Sequence, residues 1–158
     1  MTTVTHDSFT ITRDIAACRA HVFALWSDPD LKRLWFVDSD GPEWNTREYD
    51  LDFRIGGTET GRFDLTEGPG AGEHCNVTHY LDIEPDARIV SAYTMAMNGR
   101  IHSASLATVT FEDAGGGTRL TYHEQMTLIG ESDGASGRAH GWTHLLDGLE
   151  RALERTTA

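Results

Sequence analysis

The sequence predicts an α+β domain in which a curved antiparallel sheet of about seven strands wraps around a long C-terminal helix, with two short helices after the first strand. Three observations carry that reading. Apolar and polar residues alternate in successive segments from residue 8 to about residue 128. Short turns rich in glycine join those segments, so neighbours in sequence pair antiparallel. From residue 135 to about 155 the period changes to that of one apolar helix face. With 158 residues and 39% hydrophobic content, the chain fits a single domain, 1–158, able to bury a core without metal or disulfide staples.

In residues 8–14, Phe9 and Ile11 alternate with polar neighbours, as a half-buried strand requires. A helix follows from about Ala17 to Ser27, with Val22, Phe23 and Trp26 on one face. Asp28-Pro29 ends it, because proline lacks an amide hydrogen and restrains the residue before it. The same pair opens a second short helix: Asp28 suits the N-cap, Pro29 the first helical position, and Leu31, Leu34 and Trp35 the buried face.

In residues 49–55 every odd residue is apolar and every even one charged, the mark of another half-buried strand. Gly56-Gly57 turns the chain into a strand from Glu59 to Leu65. Further strands run from about His74 to Glu84, Arg88 to Met97, Ser103 to Glu112 and Thr118 to about Leu128. Pro85-Asp86, Asn98-Gly99 and the glycines at 115–117 separate them. In the last helix Trp142, Leu145, Leu146, Leu149, Ala152 and Leu153 form the apolar stripe, opposite His144, Asp147, Glu150, Arg151 and Glu154.

Charge excludes some partners. Lys+Arg number 13 against 25 Asp+Glu, a net charge of -12. Such a surface repels phosphate backbones and anionic lipids, so nucleic acid is not an expected partner. No stretch approaches the roughly 20 apolar residues of a membrane span, so no membrane insertion is expected. The N-terminal residues lack a basic segment followed by an apolar run, and a cytoplasmic location is expected. Cys18 and Cys75 have no metal or redox spacing and are expected to be small buried residues, with a disulfide left open should the two be neighbours.

One helix cannot fill the hollow of a wide, twisted sheet. A cavity is therefore expected between sheet and C-terminal helix, closed at one end by the short helices, and this is the predicted site. Strand alternation sends Glu59, Phe63, His79, Tyr93 and Met95 inward, together with Ser105, Tyr122 and Glu124. Trp142 and Leu146 face them from the helix, and Trp35 and Phe36 stand near the mouth. These residues form the expected ligand-binding set.

Glu124 is the sharpest chemical candidate, since an inward carboxylate can act as general acid or base. The alternative is a pocket-lining group at the sheet's open end, solvated or bonded to Tyr122 or a backbone amide. His79 is the second catalytic candidate, as a base beside a carboxylate, against the ordinary role of a bonded core histidine. Glu59, directly after a Gly-Gly turn, is expected to fix the hairpin by a hydrogen bond. His140 and His144 have the i, i+4 spacing of metal ligands, but the pattern fixes no third ligand, so no metal and no cofactor is assigned. Gly141 costs its helix about 1 kcal/mol relative to alanine, which predicts a close approach to the sheet or a ligand. No nucleophile elbow, phosphate loop or dinucleotide fingerprint occurs.

Five segments, in order, resemble a known family. They are Pro29-Asp30-Leu31 with Leu34-Trp35-Phe36; Asp52-Phe53-Arg54-Ile55-Gly56-Gly57-Thr58-Glu59; Leu81-Asp82-Ile83-Glu84-Pro85-Asp86-Ala87-Arg88-Ile89-Val90; Gly116-Gly117-Thr118-Arg119-Leu120-Thr121-Tyr122-His123-Glu124-Gln125; and Gly141-Trp142. Together they are similar to the START/SRPBCC superfamily, and within it to the group related to the C-terminal domain of the activator of heat-shock protein ninety ATPase. The resemblance implies the helix-grip, START-like fold. It implies three kinds of function: binding of a hydrophobic or amphipathic small molecule in the cavity, a cyclase, dehydratase or hydrolase reaction using Glu124, or an interaction module acting on a chaperone partner. The oligomeric state, a homodimer included, is left open.

Overall fold

A computed structural model describes residues 1–38 and 43–156. The elements run β1 (Val4–Ile15), α1 (Arg19–Ser27), α2 (Pro29–Phe36), β2 (Trp44–Leu51), β3 (Thr58–Leu65), β4 (Gly72–Glu84), β5 (Arg88–Met97), β6 (Arg100–Ala114), β7 (Gly117–Ile129) and α3 (Gly134–Arg155). The seven strands form one antiparallel sheet in the order β1-β7-β6-β5-β4-β3-β2. The α+β, helix-grip architecture is as the sequence predicts. Among the described residues no helix is long and apolar enough to cross a membrane.

Local chemistry sets the boundaries. Asp28 Oδ1 accepts from the amides of Asp30 at 2.9 Å and Leu31 at 3.3 Å, capping α2 with Pro29 in its first turn. Asn98 and Gly99 both take positive φ, 51° and 82°, which makes the tight return from β5 to β6. The long helix lies against α2 and β1. Its stripe of Leu146, Leu149 and Ala152 enters a core built with Val22, Leu25, Trp35, Phe111 and Leu120.

Two strand expectations need correction. The strand expected over 49–55 ends at Leu51. Residues 52–57 form a turn closed by Arg54 N–H to the Asp52 carbonyl and Gly57 N–H to the Arg54 carbonyl. Phe53 alone of that run packs inward, edge-on to Phe23 and Tyr80, while Ile55 is exposed. In β4 the inner face carries Asn76, Thr78 and Tyr80, and His79 and Leu81 point outward. A bulge between Tyr80 and Asp82 then returns Ile83 to the core. The expectation for the cysteines also fails: Cys18 is exposed and Cys75 half-buried, both as free thiols.

Candidate functional site

A cavity of about 1000 Å³ lies between the inner faces of the central strands and α3. It opens to solvent at a rim that includes the exposed residues Pro69, Arg100, Glu131, His140 and His144. Eight aromatic side chains belong to the wall: Trp26, Phe36, Trp44, Phe63, Tyr80, Tyr93, Tyr122 and Trp142. Trp142 anchors this surface, stacked on Tyr122 with centroids 4.1 Å apart and parallel to Trp26 at 6.0 Å.

Of the expected set, Phe36, Glu59, Phe63, Tyr93, Met95, Tyr122 and Trp142 stand on the cavity wall. Trp35, Ser105, Glu124 and Leu146 are buried outside that wall. Trp35 donates its Nε1–H to the Leu25 carbonyl at 2.7 Å, locking α1 to α2. His79 is on the opposite face of the sheet, in solvent. Its strand was read out of phase because polar Asn76 and Thr78, not Val77 and Leu81, face the hollow.

Glu124 has no solvent exposure. Its Oε1 accepts from the hydroxyls of Tyr93 and Tyr122, both at 2.7 Å. Its Oε2 accepts from Ser105 at 2.7 Å and from Arg138 Nη1 at 3.0 Å. Two oxygens offer about four acceptor positions, and four donors fill them. With these positions taken, the carboxylate anchors the wall from behind, bonded to Tyr122 within the reach that either expected role requires. Burial, reinforced by the Glu124 charge, pushes the Tyr93 phenol above its ordinary range. Burial, Tyr93 and Glu124 do the same to Tyr122. Both remain neutral donors.

Arg138 completes the anchor from α3. Its Nη1 also donates to the Tyr93 hydroxyl at 2.9 Å, Nη2 to Ser103 at 2.7 Å and to Asp133 at 3.0 Å, and Nε to Asp133 at 2.7 Å. Burial disfavours the guanidinium charge, but the hydrogen bonds Arg138 donates to Asp133 and the attraction of Asp133 and Glu124 outweigh it and raise its pKa. Asp133 mirrors this: burial raises, the Arg138 bonds and charge lower more, and the carboxyl ends below its usual range.

A second charged pair sits on the cavity wall near the short helices. Lys32 and Glu59 are each 3% exposed, with Nζ 2.9 Å from Oε2. The Lys32 ammonium lies 4.5 Å from the Phe36 ring centroid, 5.4 Å from Trp26 and 5.5 Å from Trp35, a cation–π enclosure. The Tyr49 hydroxyl on paired strand β2 donates to Glu59 Oε2 at 2.6 Å, so Glu59 does tie the hairpin together. Burial first, then the Glu59 charge, raises the phenol pKa of both Tyr49 and Tyr80.

Sequence reasoning missed Arg138, Lys32 and His102. Arg138 was detectable: it lies four residues before Trp142 and so extends the apolar stripe. Lys32 carried a weaker signal, one turn before Trp35 and Phe36. His102 carried none, since it is the extra residue where the β5–β6 register shifts opposite Met95 and Ala96. Its Nδ1 lies 3.1 Å from Ser132 Oγ, and burial holds its pKa below the usual value, with Asp133 opposing. Gly141 is exposed on the cavity lining with nothing within 4 Å of a β-carbon built there, so the close approach expected to the sheet is absent. Among the described residues no group of three His, Cys, Asp or Glu side chains is arranged to hold a metal ion.

The model of the family described as activator of Hsp90 ATPase homolog 1-like protein matches residues 16–154. The chain belongs to that family. An uncharacterized protein from Rhizobium leguminosarum is 39% identical, with TM-score 0.87 and 99% of each chain covered. Protein Mll3558 from Rhizobium loti is also 39% identical, with TM-score 0.83, covering 96% of this chain and 99% of that one. The AHSA1-like protein from Aeromonas hydrophila shares the fold at 18% identity and TM-score 0.63, over 94% of this chain and 93% of its own. No curated protein matches.

Proposed function

We propose that this member of the activator of Hsp90 ATPase homolog 1-like family binds a hydrophobic or amphipathic small molecule between its sheet and C-terminal helix. The whole chain works as one cytoplasmic domain in this reading, which its two free thiols fit. The observation that carries the proposal is the cavity: about 1000 Å³, open at one end, with a mainly aromatic and aliphatic wall. Such a surface facing water is costly unless a ligand covers it. Carriage rather than catalysis is favoured because Glu124, the carboxylate closest in role to an acid or base, is saturated and lies outside the wall. A chaperone partner rests on the family description alone.

Titration with Nile red, a neutral apolar fluorophore, tests the reading. The wild-type protein should bind it with a blue-shifted emission and a raised Tm. Met95→Trp, which narrows the cavity from a half-buried position on β5, should weaken the signal while leaving the far-ultraviolet circular dichroism spectrum largely unchanged. Emission and Tm that do not respond to the dye, or full binding by Met95→Trp, would overturn the proposal.

A further inference from the structure

The charged end of the cavity has more donors than acceptors. Trp26 Nε1 is the one buried side-chain nitrogen or oxygen among the described residues that has no hydrogen-bond partner. A buried orphan donor costs about 1–3 kcal/mol. The Trp26 side chain borders the cavity, and the residue is 4% exposed. Lys32 Nζ stands 5.4 Å from its ring centroid. An ammonium has three N–H donors, and among the described residues its one oxygen partner is Glu59 Oε2. The faces of Trp26, Trp35 and Phe36 attract the charge but take no ordinary hydrogen bond. Glu59 is itself occupied by Lys32 and Tyr49. What this end of the cavity wants from a ligand is an acceptor oxygen.

We propose that Lys32 and Trp26 form a carbonyl-binding subsite, and that the bound molecule is a neutral aromatic or polycyclic carbonyl compound such as a ketone or quinone. This rests on the ligand-binding reading above and specifies its chemistry. Its oxygen meets Lys32 Nζ and, after a small rotation of the Trp26 ring, the indole N–H. Its rings lie against Phe36, Tyr80 and Trp142. Neutrality follows from charge: Lys32 and Glu59 cancel, so an added carboxylate would face Glu59 uncompensated, within a protein of net charge -12.

The test uses three probes on one tricyclic skeleton: fluorene, fluorenone and a fluorene carboxylate. Wild-type protein should bind fluorenone about tenfold or more tighter than fluorene, the scale of a hydrogen bond to a charged donor, and tighter than the carboxylate. The carbonyl stretch of bound fluorenone should move to lower frequency. Lys32→Met/Glu59→Gln, which keeps the pair neutral, and Trp26→Phe, which removes the indole N–H together with part of the ring system, should each bring the fluorenone-to-fluorene ratio towards one. Equal binding of fluorene and fluorenone by the wild type would overturn the subsite and leave the cavity reading standing. So would tightest binding of the carboxylate, or an undiminished ratio in both variants. Failure of all three probes to bind would overturn the subsite and the cavity reading together.

Discussion

Arg138 Nη1 lies 3.0 Å from Glu124 Oε2, although one residue comes from the helix and the other from the sheet, and neither side chain is more than 6% exposed. This ion pair is the joint between the two layers. Removing Arg138 leaves Glu124 as a buried charge without its counter-ion, which costs about 3–5 kcal/mol, whereas Arg138 without Glu124 would keep Asp133 as its partner. Arg138→Met should therefore lower the unfolding free energy by about that much. Tm should fall by roughly 10 °C. Urea unfolding with an unchanged slope is the check, and a loss below about 1 kcal/mol would show that the joint is not supporting the fold.

The Lys32–Glu59 pair makes a similar prediction with a different control. Lys32→Met should destabilise by about 3 kcal/mol, because among the described residues Glu59 keeps only Tyr49 as a side-chain donor. Lys32→Met/Glu59→Gln should recover a good part of that loss, since neither charge remains buried. A double-mutant cycle reads the coupling directly; additive losses would contradict it.

His102 predicts a pH dependence of opposite origin to that of the carboxylates. Burial lowers its native pKa from 6.5, with the Asp133 charge opposing. The unfolded chain then takes the proton first as pH falls. Its contribution to stability is complete above about 6.5 and declines from there down to the native pKa. Asp133, lowered from 3.8 despite burial by its bonds and attraction to Arg138, contributes above 3.8 and loses that contribution only as pH drops through its native value. Tm of the wild type should fall between pH 7.5 and 5.5, and His102→Asn should show a smaller fall. Parallel curves for the two proteins would refute the assignment.

These predictions separate what the sequence made legible from what it did not. Period, turns and caps were readable because each is local: Asp28-Pro29 caps α2 and Asn98-Gly99 turns β5 into β6 as expected. The phase of β4 was not. Alternation reports which face is apolar, and the rule assumes that the apolar face is the inner one. Here Asn76 and Thr78 face the hollow, where a cavity replaces packed core, and Val77 and Leu81 do not. Glu124 was correctly placed inward, with Tyr122 among its stated partners. Its role depended on Arg138, a long-range contact that no spacing on β7 announces. The site was thus misread where polar groups meet across layers.

Two glycines test how backbone space limits the fold. Gly57 closes the turn between β2 and β3, and a β-carbon built there would fall on the Asp52 carbonyl oxygen. Gly57→Ala should therefore cost about 2 kcal/mol or more, since the turn must open to admit a methyl group. Gly141 is the contrasting case. It lies inside α3, is exposed, and has nothing within 4 Å of the position an added methyl would take. There the only terms are the helix propensity of alanine and the smaller entropy of its unfolded chain, both stabilising. Gly141→Ala should raise stability by about 0.5–1 kcal/mol and Tm by about 2–4 °C. Calorimetry decides it: a fall in Tm would mean that α3 needs local freedom at the cavity rim, for example to admit the ligand.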